Sequence, residues 1–270
     1  MAKPGKNKPW KKKIPKERDQ TPSNLIEFDY QPPADMPKVI YSDDQLVVFS
    51  KPSGLLSVPG TRPGRQDSLV SRAQTTFPTA RIVHRLDMDT SGLIVMALNA
   101  DAHRNLSMQF EARNIGKLYH ALVAGHPKET RGTVELPLFV DWPNRPKQMV
   151  DFENGKPAKT EYEVVEMLEN DAGFKSARVA LHPITGRSHQ LRVHMLEIGH
   201  PILGDVFYAE GEALTASPRL CLHATELSFD HPVTGERMAF KHLPDFWSKT
   251  NGKTLSKPGL FQKNCNNWYL

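Results

Sequence analysis

Arg81-Ile82-Val83-His84-Arg85-Leu86-Asp87-Met88-Asp89-Thr90-Ser91-Gly92-Leu93-Ile94-Val95-Met96-Ala97-Leu98 is the stretch from which the rest of the chain can be read. Its second half, Leu93 to Leu98, is an unbroken apolar run that includes Ile and Val. That predicts a buried strand, although at this length a buried helical segment reads the same way. Directly ahead stand His84, Arg85, Asp87, Asp89, Thr90 and Ser91, then Gly92. Polar groups pressed against a core strand must find partners or water, because an unpaired interior charge is costly. They either close a turn, with Arg85 paired to Asp87 and Gly92 supplying the bend, or they line a cleft. Residue chemistry alone leaves both open.

A chain of 270 residues allows one large domain or two small ones with ample core. Hydrophobic content of 39% and charged content of 24% place it among soluble globular proteins. No apolar run approaches the roughly 20 residues of a membrane helix. The N-terminus lacks the short apolar core of a signal peptide. Cys221 and Cys265 fit no disulfide framework and no zinc spacing, so a reducing cytoplasm is the expected location. The net charge of +5 belongs to a tail: residues 1–19 hold seven lysines and Arg18 against Glu17 and Asp19. Residues 1–24 are expected to be disordered, serving either as a phosphate-binding arm or as a solubilising extension.

Further along, Val39 to Tyr41 and Leu46 to Ser50 read as a hairpin that Lys51-Pro52-Ser53-Gly54-Leu55 closes. Asp67 or Ser68 can cap a helix that Pro78 stops, and Asn99 can cap another running to about Arg113. Lys117 to Ala124 reads as a strand. Residues 141–148 are too rich in proline for regular structure, and there Trp142, Arg145 and Lys147 combine a stacking surface with phosphate-seeking cations. Hairpins follow over Lys159 to Leu181 and Leu220 to Phe240. Between them, Leu191, Met195 and Ile198 recur at helical spacing before Gly199 and Pro201, with Arg187 placed in the first turn. His189 and His194 are five apart, off the spacing that sets two metal ligands on one helix face, so no metal site is expected. Residues 248–270 are expected to be loosely ordered.

Three motifs carry a resemblance. Lys51-Pro52-Ser53-Gly54, His84-Arg85-Leu86-Asp87 with Thr90-Ser91-Gly92-Leu93, and Thr185-Gly186-Arg187 with His189-Gln190-Leu191-Arg192 together resemble the RluA-type pseudouridine synthases over roughly residues 38–246. The resemblance implies an α+β catalytic domain: one mixed, mostly antiparallel sheet with helices and loops around a central cleft. It implies Asp87, rather than Asp89, as the catalytic carboxylate, Arg187 as its ion-pair partner, and Tyr119 as an active-site tyrosine stacked on the target base and candidate acceptor of its C5 proton. His84, Arg85, Trp142, Arg145, Lys147, His189 and Arg192 are the expected substrate-binding residues.

The implied reaction breaks the N1–C1′ bond of uridine, turns the base and joins C5 to C1′. It moves no electrons and transfers no group, so no cofactor or metal is expected. An aspartate, with a reference pKa of about 3.9, is ionised at pH 7, and a guanidinium beside it opposes the upward push of burial. The implied substrates are a loop of large-subunit rRNA and the anticodon stem-loop of tRNA, modified by a monomer. Two other classes remain in view: a non-catalytic RNA-binding ribosome-assembly factor, and a metal-free ribonuclease built on His84, His189 or His194.

Overall fold

The computed structural model describes residues 30–247 and, as backbone, 253–256; the basic tail and most of the C-terminal segment lie outside them. In chain order the strands are β1 (Lys38–Ser42), β2 (Leu46–Lys51), β3 (Arg81–Ile82), β4 (Ser91–Ala97), β5 (Gly116–Ala124), β6 (Arg131–Glu135), β7 (Leu138–Val140), β8 (Gln148–Val150), β9 (Lys159–Glu169), β10 (Lys175–Pro183), β11 (Leu222–Asp230), β12 (Arg237–Lys241) and β13 (Lys253–Ser256). The helices are α1 (Leu69–Thr76), α2 (Ala100–Ala112), α3 (Gln190–Glu197) and α4 (Gly211–Thr215).

One sheet runs β1-β2-β4-β11-β5-β10-β9-β13, with β3, β12 and β6 attached to β4, β11 and β9. Every pairing is antiparallel except β4 with β11. That parallel seam covers only His223↔Ser91 and Ala224↔Gly92, after which β11 pairs with β12 instead. Gly92 is required there: its φ is +111°, and a Cβ would stand 2.3 Å from the Ala224 carbonyl oxygen. The seam divides the sheet into two halves, and the loop that precedes β4 hangs over it.

Each half builds its own core. In the first, β4 is buried along its whole length, as its continuous apolar run foretells. Val47, Phe49, Ile94 and Met96 pack on Leu69 and Ala73 of α1, while Leu46, Val48, Leu93 and Val95 pack on Ala102 and Leu106 of α2. Both helices are capped where the side chains allow. Ser68 and Ser71 form a reciprocal capping box, and Asn99 accepts from the Ala102 amide. In the second half, Val164, Val179 and Leu181 pack on Leu191 and Met195 of α3. Among the described residues no helix is long and apolar enough to cross a membrane.

Candidate active site

The loop from Val83 to Thr90 is held from behind by residues 51–57. Lys51 is completely buried and donates to the carbonyls of Pro52 (2.9 Å), Leu55 (2.7 Å) and Met88 (2.8 Å). Ser53 Oγ donates to the Asp89 carbonyl at 2.7 Å, and the Gly54 amide to that of Met88 at 3.0 Å. Ser57 Oγ donates to the Leu86 carbonyl (2.6 Å) and accepts from the Leu86 amide (3.1 Å). With its backbone polar groups engaged on one side, the loop presents Asp87 and Asp89 to a cavity of about 840 Å³ on the other. Burial pulls the Lys51 ammonium down to about 7, opposed by the charges of Asp89 and Asp87. Burial likewise pushes the Asp89 carboxyl up.

Beside Asp87 stands Arg192, with its Nη1 3.7 Å from Oδ2. The guanidinium is fixed from two other directions. Its Nε and Nη2 make a two-pronged pair with Asp205 at 2.7 and 2.6 Å, and its Cζ lies 5.2 and 5.1 Å from the rings of Phe207 and Tyr208. Arg192 and Asp205 are 2% and 0% exposed, whereas Asp87 is 30% exposed. Asp205 therefore compensates the buried cation, and Nη1 remains to orient a carboxylate that opens to the cavity.

Tyr119 enters the same cavity from β5. Burial, with the Asp87 charge adding to it, pushes the phenol well above its ordinary value. It is therefore a protonated stacking surface at neutral pH, not a standing base. His189 ends the set. Its backbone is left-handed (φ 53°), and its Nδ1 bonds to the Tyr208 hydroxyl at 2.7 Å, which in turn accepts from the Gln148 amide at 2.7 Å. Burial holds the imidazole down to about 4, so it is neutral at pH 7.

A family model for RNA pseudouridylate synthase matches residues 45–197. The chain is 56% identical to the dual-specificity RNA pseudouridine synthase RluA of Escherichia coli (strain K12) over 219 residues, covering 81% of this chain and 98% of that protein. It is 53% identical to the enzyme of the same name from Pasteurella multocida over 220 residues, covering 81% and 99%. The chain belongs to the RNA pseudouridylate synthase family. Among solved structures, human RNA pseudouridylate synthase domain containing 1 superimposes with a TM-score of 0.70 at 28% identity, covering 86% of this chain and 94% of that one. The protein is thus an RluA-type pseudouridine synthase, an isomerase of RNA uridines, and its α+β fold is the one the motifs imply.

The synthase brings most of the expected residues together and corrects one pairing. Asp87, Tyr119, His84, Arg85, Arg145, Arg187, His189 and Arg192 all line the cavity. Arg187, however, is not the partner of Asp87. It lies in the turn before α3, exposed, with its Nε donating to the Pro157 carbonyl at 3.2 Å. Because α3 starts only at Gln190, the first guanidinium that points inward is that of Arg192. His84 lines the cavity too, and it is anchored from behind. Its Nε2 accepts from the Val95 amide at 3.1 Å and its ring stacks on Phe110 at 4.4 Å. It ties the loop to β4 and α2, and burial holds it neutral, down to about 3.

Within the 141–148 loop, which joins β7 to β8, Arg145 is the one of the three expected residues that lines the cavity. Its Cζ sits 4.7 Å from the exposed Trp142 ring, and its buried Nε has no hydrogen-bond partner. His194 is structural, with Nδ1 bonded to Thr160 Oγ1 and Nε2 to the Leu136 carbonyl. Asp205 escaped the sequence reading, and Lys51 and Gln190 entered it only as motif positions without a role. Gln190 accepts from Thr185 Oγ1 and the Arg187 amide, and donates to the Lys159 carbonyl and Thr160 Oγ1, so it braces the turn that carries Arg187 and His189. One signal pointed at Asp205: Arg192 sits between Leu191 and Val193 in a buried helix and needs an acid for company.

Proposed function

We propose that this synthase isomerises uridines in two RNA contexts, a loop of large-subunit rRNA and the anticodon stem-loop of tRNA. The curated relatives carry the dual-specificity name, and the chain covers 98% of the length of the Escherichia coli enzyme at 56% identity. In this reading a uridine leaves its stack and enters the cavity, as chemistry on a base requires. Asp87 acts at the sugar, either by bonding to C1′ or by removing a sugar proton. Arg192 holds the carboxylate through the step. Tyr119 supplies the π-face under the base, and Arg85, exposed at the cavity mouth, takes the space or the phosphate left by the flipped nucleotide. The product is an isomer of the substrate, with the C5 proton given up and a proton taken at N1, so the reaction calls on no cofactor.

The observation that supports this reading most is a carboxylate one-third open to an 840 Å³ cavity, set between a buried guanidinium and a protonated phenol. Monomeric action in the cytoplasm fits the same reading, as does residues 1–24 acting as a phosphate-seeking arm whose removal weakens binding mainly at low salt. Carbodiimide mapping of rRNA and tRNA from cells with and without the gene tests the substrates. Loss of pseudouridine from both RNAs supports the proposal; loss from one alone, or shortened RNA in place of isomerised RNA, overturns it.

A further inference from the structure

Lys117 is the one cavity-lining lysine, and nothing in the reading so far uses it. It precedes Tyr119 by two residues on β5, so both side chains project from the same face, roughly 6–7 Å apart along the strand. Its ammonium reaches across to the turn before α3: a Cβ built on Gly186 would stand 4.0 Å from Nζ. The ammonium of the half-buried Lys117 has no hydrogen bond or ion pair among the described residues. The charged neighbour that bears on it, Arg113, repels it. Burial and then the Arg113 guanidinium pull the ammonium below an ordinary lysine, and its own charge adds to the burial that holds His84 neutral.

Three other described lysines show what a partner looks like. Lys159 pairs with Glu135, Lys241 with Glu226, and Lys51 is capped by three carbonyls. A desolvated cation beside another cation, with no acid at hand, is unfavourable in the free protein. Such arrangements concentrate where a ligand supplies the missing charge. A neutral uracil carbonyl would leave the repulsion in place; a phosphodiester would remove it.

We infer that Lys117 is a phosphate-binding residue of the cleft, holding a backbone phosphate of the strand that carries the flipped uridine. The inference rests on the reading that Asp87 and Tyr119 line the nucleotide site. Binding is measured with a uridine-containing RNA stem-loop, by titration between 50 and 200 mM KCl, in Asp87→Asn, Asp87→Asn/Lys117→Met and Asp87→Asn/Lys117→Arg proteins. One lost phosphate contact lowers the slope of log K against log salt by about 0.7 to 0.9. Lys117→Met is expected to show that drop, with affinity reduced several-fold at low salt, while Lys117→Arg keeps the slope.

In the Asp87-intact protein, Lys117→Met is expected to raise KM more than it lowers kcat. Weaker binding with an unchanged slope assigns Lys117 to packing and overturns the inference, as does unchanged binding. If Lys117→Met does not fold, Lys117→Gln replaces it and is judged by the same slope. Pseudouridine formation by Asp87→Asn alone would instead remove the Asp87 assignment, and the slope would still decide Lys117.

Discussion

Replacing Arg192 with methionine should do two separable things. At 3.7 Å from Asp87, a unit charge at an effective dielectric near 20 is worth roughly 4 kcal/mol. Asp205 already neutralises much of that guanidinium, and Asp87 is partly in water, so about 1–2 kcal/mol is a better figure for the orientation it provides. That corresponds to roughly a 5- to 30-fold fall in single-turnover rate. The larger effect is on folding. Arg192→Met leaves Asp205, 0% exposed, as a bare buried carboxylate, at a cost of about 3–5 kcal/mol.

Adding Asp205→Asn removes the charge while an amide oxygen can still accept from the Phe207 amide, as Asp205 Oδ1 does at 3.0 Å. The double variant should therefore recover most of the lost stability without recovering the rate. Urea unfolding and single-turnover assays on the same preparations measure both. Arg187→Gln, which among the described residues removes a bond to the Pro157 carbonyl alone, should retain near-wild-type stability and lose binding rather than rate. The reasoning fails if Arg192→Met is as stable as wild type, if the double variant is no better than the single, or if Arg187→Gln slows the bound complex as much as Arg192→Met.

Two further outcomes follow from the same geometry. Tyr119→Phe should bind RNA within a few-fold of wild type, whereas Tyr119→Ala should lose about 1–3 kcal/mol of binding as the base loses its stacking face; equal binding by the two would contradict stacking. Acid should also destabilise the fold. Burial holds His84 and His120 down to about 3 and His189 and His223 down to about 4, so the unfolded chain binds more protons than the native one below about pH 6.5. Their stabilising effect is complete above that pH and is lost as pH falls towards the folded values. At pH 5 the four together amount to several kcal/mol, against a total stability of about 5–15. The urea midpoint should drop steeply between pH 7 and 5, and a flat midpoint there would contradict the burial of these rings.

Much of this was legible wherever local chemistry decides. Ser68 and Asn99 start helices because their oxygens reach amides three residues on, and the turn residues Asn170-Asp171-Ala172-Gly173 between two strand-like runs mark the β9–β10 hairpin whatever surrounds it. The arginine beside Asp87 is not the one the motif resemblance implied, for a local backbone reason. His189 adopts a left-handed backbone and delays the start of α3, so the first inward guanidinium falls at 192 instead of 187. Lys51 read as the end of a hairpin because the carbonyl it clamps belongs to Met88, 37 residues away. The parallel seam joins residues 132 apart in the chain, and short strands such as β3, β7 and β8 exist only because a partner strand lies alongside.

The central claim is that the Asp87 carboxylate performs the chemistry. Uridine carries its C5 hydrogen into the reaction and pseudouridine leaves without it, so tritium release from RNA labelled at uridine C5 reports turnover directly. Asp87→Asn, which keeps the loop backbone clamped by Lys51, Ser53 and Ser57, is predicted to bind that RNA within a few-fold of wild type and to release no tritium. Release above about one per cent of the wild-type rate would contradict the account.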